Sequence, residues 1–210
     1  MEKITKEVFL SYLNRLHPDA SCALIYKNDY ELLISIILSA QTTDIKVNEV
    51  TSILFEKYPD FLSLSKASIS DIENIIHKLG LYHAKAKNII SCADKISNEY
   101  NGKTPNNFDL LSTLSGVGRK TANVFLSEYY NMNTLGVDTH IMRVAKRLQI
   151  AEDGDNSYGT EKKLKAFFQE TDYRKLHHMI IAFGRNECNA RKPLCASCEI
   201  KQYCKYGHDL

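Results

Sequence analysis

The chain has no tryptophan, only four prolines and nine glycines, and a net charge of no more than +2 over 210 residues. So little proline and glycine excludes collagen-like and low-complexity architectures. The longest apolar run, Leu32 to Ala40, is too short to span a bilayer. Residues Met1 to Glu7 are charged and no apolar segment follows them, so a secretory leader is not expected and the protein is expected in the cytoplasm, without a membrane partner. The near-neutral charge excludes binding of a polyanion by positive charge supplied in bulk. A nucleic-acid partner would require the basic residues to be gathered on one face.

Strand signals are also missing. No stretch alternates apolar and polar residues with turn residues at hairpin spacing, whereas helical periodicity is widespread, so the expected class is all-α. Asn28 with Glu31 has the form of a capping box ahead of Leu32, Leu33, Ile36 and Ile37. Thr43 or Asp44 is placed to cap a helix carrying Val47, Val50, Ile53 and Leu54. Ser68 with Asp71 opens a helix through Ile72, Ile75, Ile76 and Leu79 that Gly80 stops. Further helices are expected over 84–100, in a short segment ending near Leu114, up to Tyr130, and over 140–150, 161–170 and 173–183.

Six cysteines in a chain without a leader argue against a disulfide framework. Cys188, Cys195, Cys198 and Cys204 form C-x6-C-x2-C-x5-C, a spacing suited to one metal centre or cluster, and spacing alone does not exclude zinc. Cys22 and Cys92 stand apart and read as small buried side chains.

The segment LSGVGRKTANV, Leu114 to Val124, places Gly116 and Gly118 around Val117 and then opens a helix with Arg119 and Lys120. Cations are unfavourable at a helix N-terminus unless an anion arrives to offset them. A plain tight turn would explain the glycines. The cations favour instead a turn whose amides hold a phosphate, and the G-x4-G-K-[ST] spacing of a nucleotide-binding loop is absent. Lysine amines can attack a sugar C1′, but with a reference pKa of about 10.4 only about one in 2,500 is neutral at pH 7. A helix N-terminus lowers that pKa in part; burial or a neighbouring base must supply the rest. Asp138, in GVDTHIMRV, reads both as the cap of the next helix and as a carboxylate able to accept a proton or stabilise a cationic sugar. His140 is the only histidine that accompanies it; His177 and His178 lie in an apolar-periodic helix and read as packing or surface groups.

Taken in order, ILSAQTTD (37–44), LGLYHAKAKNI (79–89), LSGVGRKTANV, GVDTH and the four-cysteine tail cover essentially the whole chain. Together they resemble endonuclease III, a helix-hairpin-helix DNA glycosylase and abasic-site lyase. The resemblance implies two helical subdomains, 22–132 carrying the hairpin, and 1–21 plus 133–210 carrying an iron-sulfur loop, with Lys120 and Asp138 facing each other across a cleft. It implies Lys120 as Schiff-base nucleophile, Asp138 as essential carboxylate, and the four cysteines as ligands of a structural [4Fe-4S] cluster. Gln41 and Leu81 match residues that fill the gap left by a flipped nucleotide. Filling it offsets part of the few kcal/mol that unstacking costs. Gly116, Val117, Gly118 and Arg119 fall in the phosphate-binding hairpin, and Arg191 and Lys192 fit a further backbone contact from the cysteine loop. The expected partner is double-stranded DNA with a damaged base or abasic site, bound by a monomer. Where the family usually has proline before the first hairpin glycine, this chain has Ser115. That change should cost about 1 kcal/mol or less of stability.

Three other functions compete. A monofunctional adenine-type mismatch glycosylase needs no amine, which Lys120 argues against. A non-catalytic DNA-binding protein would be indifferent to lesions. An iron-sulfur electron carrier has no use for a phosphate-binding hairpin.

Overall fold

The computed structural model describes residues 2–207, and among them there is no strand. The helices are α1 (Lys6–Leu16), α2 (Asp29–Leu38), α3 (Asp44–Lys57), α4 (Phe61–Ser65), α5 (Ile69–Ile76), α6 (Tyr82–Glu99), α7 (Phe108–Leu111), α8 (Arg119–Tyr130), α9 (Thr139–Arg147), α10 (Ser157–Phe167) and α11 (Tyr173–Asn186). Two 3-10 turns follow, Cys195–Ser197 and Lys201–Tyr203. None of these helices is long and apolar enough to cross a membrane. The chain divides into two compact units, Ala23–Met132, and Met1–Cys22 with Asn133–Leu210.

The unit Ala23–Met132 is built on α2, whose sequence DYELLISIIL is apolar on every side. A helix of that kind belongs inside a core. Every residue from Leu32 to Leu38 is buried, and α3, α6 and α8 pack on α2. Asn28 caps α2 by accepting the Glu31 N–H at 2.9 Å, but the Glu31 carboxylate reaches the Lys27 N–H instead of closing the expected box. Thr43 stands at the start of α3 without forming a side-chain cap. Ser68 caps α5 as expected, yet that helix stops at Ile76. Leu79 turns back, its N–H bonding the Ile76 carbonyl, and stays buried without helical backbone. The short helix α4 is absent from the sequence reading, because five residues give too little periodicity; its Asp60–Ser63 capping box is plain in the structure.

The other unit assembles α1, α9, α10 and α11 around aromatic side chains. Phe9 lies 5.8 Å from Phe168 and 6.3 Å from Phe183, with Tyr12 edge-on to Phe183 at 5.8 Å. Helix α9 ends at Arg147 rather than near Ile150, because Gln149 adopts the left-handed conformation and the Ile150 N–H returns to the Ala145 carbonyl. Helix α10 begins earlier than expected, at the Asn156 cap. Cys92 is buried as expected; Cys22 is not, being only half-buried, since it sits in the irregular segment after α1 and not on a helix face.

Gly116 is demanded by this packing. Its φ is +80°, and an added Cβ would lie 2.9 Å from the Ile37 Cγ2 and 3.1 Å from the Asn88 Cβ. Gly116→Ala combines backbone strain with a clash and is expected to cost about 2 kcal/mol or more, read as a lowered midpoint in urea unfolding.

Candidate nucleic-acid interface and cysteine centre

The first four N–H groups of any helix lack a partner within the helix. Here α1, α2, α4, α5, α7, α9, α10 and α11 each have a side-chain oxygen that accepts one of them. Helices α3, α6 and α8 have none, and all three belong to the unit Ala23–Met132. The turns ahead of them hold Gln41, Leu81 and Gly116–Gly118. Three of the five sequence motifs therefore lie at the uncapped helix starts.

The hairpin between α7 and α8 is the most informative of the three. Val117 is buried and its N–H bonds the Leu114 carbonyl, so this amide is spent on the turn and does not join an outward-pointing set. The N–H groups of Gly118, Lys120 and Thr121 find no partner among the described residues. Such a set suits a phosphate oxygen. Around Gly118 an added Cβ would meet nothing within 4 Å, and its backbone is extended at φ −88°. The fold does not require glycine at this position, so what the missing side chain leaves open is the approach of something outside the protein. Arg119 folds over the Phe108 ring, 5.0 Å from its centroid. Ser115, in place of proline, exchanges a 2.8 Å hydroxyl hydrogen bond with Ser91 and so ties the turn to α6 by different means.

Lys120 lies in the first turn of α8, half-buried, and its ammonium makes no hydrogen bond or ion pair among the described residues. Gln41 and Leu81 are exposed, and both adopt left-handed backbone, φ 54° and 60°. For a leucine that conformation is an outlier, and 59 % of its surface faces solvent. Neither strain nor exposure serves the core.

In the other unit, Asp138 caps α9, its Oδ1 accepting the Ile141 N–H at 2.8 Å. The capping reading holds, and it is compatible with the functional one because the cap holds the carboxylate rigidly. Buried His177 bonds the Gly136 carbonyl at 2.8 Å and so braces the segment leading to Asp138. From the far side of α9, Arg143 and Arg147 hold the cysteine loop. Arg143 donates to the Gly184 and Cys188 carbonyls at 2.7 and 3.0 Å, and to His140 Nδ1 at 3.2 Å. Arg147 reaches the Cys188 Sγ at 3.2 Å and the Asn189 carbonyl at 2.9 Å, while the Tyr206 ring covers its guanidinium at 4.1 Å. The sequence reading passed over both arginines. Their i, i+4 spacing on a strongly amphipathic helix was the available signal.

All four tail cysteines are free thiols lining one pocket together with Leu148, Phe183 and Ile200. Among the described residues no three Cys, His, Asp or Glu are grouped so as to hold a single metal ion. Burial pushes the Cys188 and Cys198 thiols above their ordinary pKa, with neighbouring cysteines adding to the effect. Tyr12, its own hydroxyl pushed up to about 12 by burial, donates to Cys198 Sγ at 3.8 Å. Arg191 and Lys192 project from the loop, exposed and without an ion pair among the described residues; the Asn189 side chain closes the loop by bonding the Lys192 N–H and carbonyl.

Comparison with known proteins matches residues 34–170 to the HhH-GPD superfamily of base excision DNA repair proteins. Endonuclease III of Rickettsia felis is 41% identical over 204 residues, covering 97% of this chain and 95% of its own length. That of Bacillus subtilis is 39% identical over 204 residues, covering 96% of this chain and 92% of its own. A solved endonuclease III trapped as a covalent intermediate with DNA superposes with a TM-score of 0.94 at 39% identity, covering 98% of both chains. With that fold match and that identity over nearly its whole length, the chain belongs to the endonuclease III family, the DNA glycosylases and abasic-site lyases of base excision repair.

Proposed function

We propose that this enzyme binds duplex DNA carrying an oxidised pyrimidine or an abasic site, removes the base and cleaves the strand 3′ to the resulting site. The observation that carries the reading is Lys120: a half-buried amine in the first turn of an uncapped helix, with no partner of its own among the described residues. Deprotonated, its Nζ attacks C1′; the C1′–N bond to the base breaks, and the base leaves with that electron pair and takes up a proton. The sugar ring opens to give a protonated Schiff base. Loss of a C2′ proton then expels the 3′ phosphate, and water releases Lys120. Asp138 is the carboxylate that accepts the proton or stabilises the cationic sugar. Gly116, Val117 and Gly118 form the turn that presents amides to a backbone phosphate, and Arg119 adds positive charge. Arg191 and Lys192 contact a further phosphate, and Gln41 and Leu81 fill the vacated stack.

The proposal includes a [4Fe-4S] cluster on Cys188, Cys195, Cys198 and Cys204. An all-thiol donor set lining one largely apolar pocket supports a thiolate-ligated centre of this kind. When bound, the cluster supplies cross-linking of the loop and no reaction chemistry. Arg147 and Tyr12 orient two of its ligands, and the loop presents Arg191 and Lys192.

Borohydride added to the enzyme on duplex DNA with one thymine glycol or abasic site should trap a covalent complex that Lys120→Ala abolishes. Failure to trap from active, cluster-loaded enzyme would remove the lyase assignment. Gly118→Ala, at the N-cap of α8 where glycine is preferred to alanine, should cost no more than about 1 kcal/mol of stability, yet weaken DNA binding severalfold in a fluorescence titration. Raised thiol pKa values mean the ligands bind protons below those values and must release them to bind iron. Cluster incorporation, followed by visible absorbance, should therefore fall as pH falls through neutrality, and removal of iron should cost DNA affinity along with local order near Arg191.

A further inference from the structure

Lys85 is the only buried lysine among the described residues, 3 % exposed on the inner side of α6. Its ammonium donates to the Thr42 Oγ1 at 2.8 Å. That is its one hydrogen bond among the described residues, and no carboxylate pairs with it. Burial accordingly pushes its pKa down. An unpaired cation in a core costs stability, and an apolar side chain of similar length would fit without that cost. The core therefore gives no reason for a lysine here.

The reason lies in what Lys85 joins. Its own N–H bonds the Leu81 carbonyl, so it stands one turn above the exposed, left-handed Leu81. Thr42 follows the left-handed Gln41, and its hydroxyl continues to the Ala40 carbonyl at 3.4 Å while its N–H bonds the Ser39 carbonyl at 3.0 Å. The two backbones also touch: a Cβ on Gly80 would lie 3.9 Å from the Gln41 carbonyl. A left-handed non-glycine residue is strained and persists only where its surroundings hold it there. Neither turn has a side-chain helix cap to do so.

We infer that Lys85 is a positioning residue: through Thr42 it locks the turns 39–43 and 79–81 into one rigid element, so that Gln41 and Leu81 enter the base stack together. The inference rests on the reading of those two residues as gap-fillers. It assigns to a buried lysine a task outside the chemistry, which is to hold two strained turns in register.

The test uses cluster-loaded enzyme and duplex DNA with 2-aminopurine beside a tetrahydrofuran abasic analogue, the stopped-flow fluorescence change reporting insertion. Lys85→Met should slow that phase about tenfold, as loss of one charge-assisted hydrogen bond would. The unfolding temperature should stay level or rise. Thr42→Val should reproduce the defect and Thr42→Ser should stay within about twofold of the parent, a rescue expected only if the hydrogen bond matters. Lys85→Met added to Leu81→Ala should do no further harm, since both act through one element. An unchanged phase in Lys85→Met and Thr42→Val, while Leu81→Ala slows it, overturns the inference. So does a lowered unfolding temperature with additive effects, which marks a packing role. Should Leu81→Ala and Gln41→Ala both leave the phase unchanged, the gap-filling reading falls, and the inference with it.

Discussion

A backbone amide without a partner is costly in a dry interior and useful at a surface, and the distribution of helix caps in this chain follows that division. Eight helices close their first turn with a local side chain; the three that do not begin at the turns carrying Gln41, Leu81 and Gly118. An uncapped start offers oriented N–H groups and partial positive charge to an incoming anion. The cations of the hairpin then have a physical logic: they are tolerable at the start of α8 because the free enzyme is only one of the states in which it works. Gly116 and Gly118 divide the labour within that turn. The first is required by Ile37 and Asn88 packing against it, the second by nothing inside the protein.

In the other unit the organising element is α9. Its first residue is capped by Asp138, and its last turn delivers Arg147 to the Cys188 sulfur, with Arg143 bonded to the carbonyl of the same cysteine. One short helix therefore carries the carboxylate of the proposed chemistry at one end and the anchorage of the cysteine loop at the other. Close approach of α9 to α11 depends on Gly184, where a Cβ would come within 3.1 Å of the His140 Cβ. Stiffness of this kind suits a carboxylate that must keep one orientation while its neighbours change charge.

The helices and their motifs were largely legible along the chain, because apolar spacing in α2, α3 and α5 and the polar caps at Asn28, Ser68 and Asp138 are local signals. Boundaries were less so. The end of α9 is set by Gln149 turning left-handed, and the end of α5 by Leu79 seeking the core after its helix has stopped. The half-burial of Cys22 and the inward amide of Val117 were also invisible, since each depends on which surface folds over it.

By itself, then, the sequence determined the all-α class, the family, the lysine and aspartate proposed for the chemistry, and the set of four thiols, because these are carried by residue type and spacing. Only tertiary structure decided that Lys85 would bridge two strained turns 43 residues apart in the chain, that Arg143 and Arg147 would grip the cysteine loop, and that His177 would brace the approach to Asp138. A long-range hydrogen bond leaves no periodicity behind it. It exists only when packing brings a donor and an acceptor together and shuts out the water that would otherwise satisfy both.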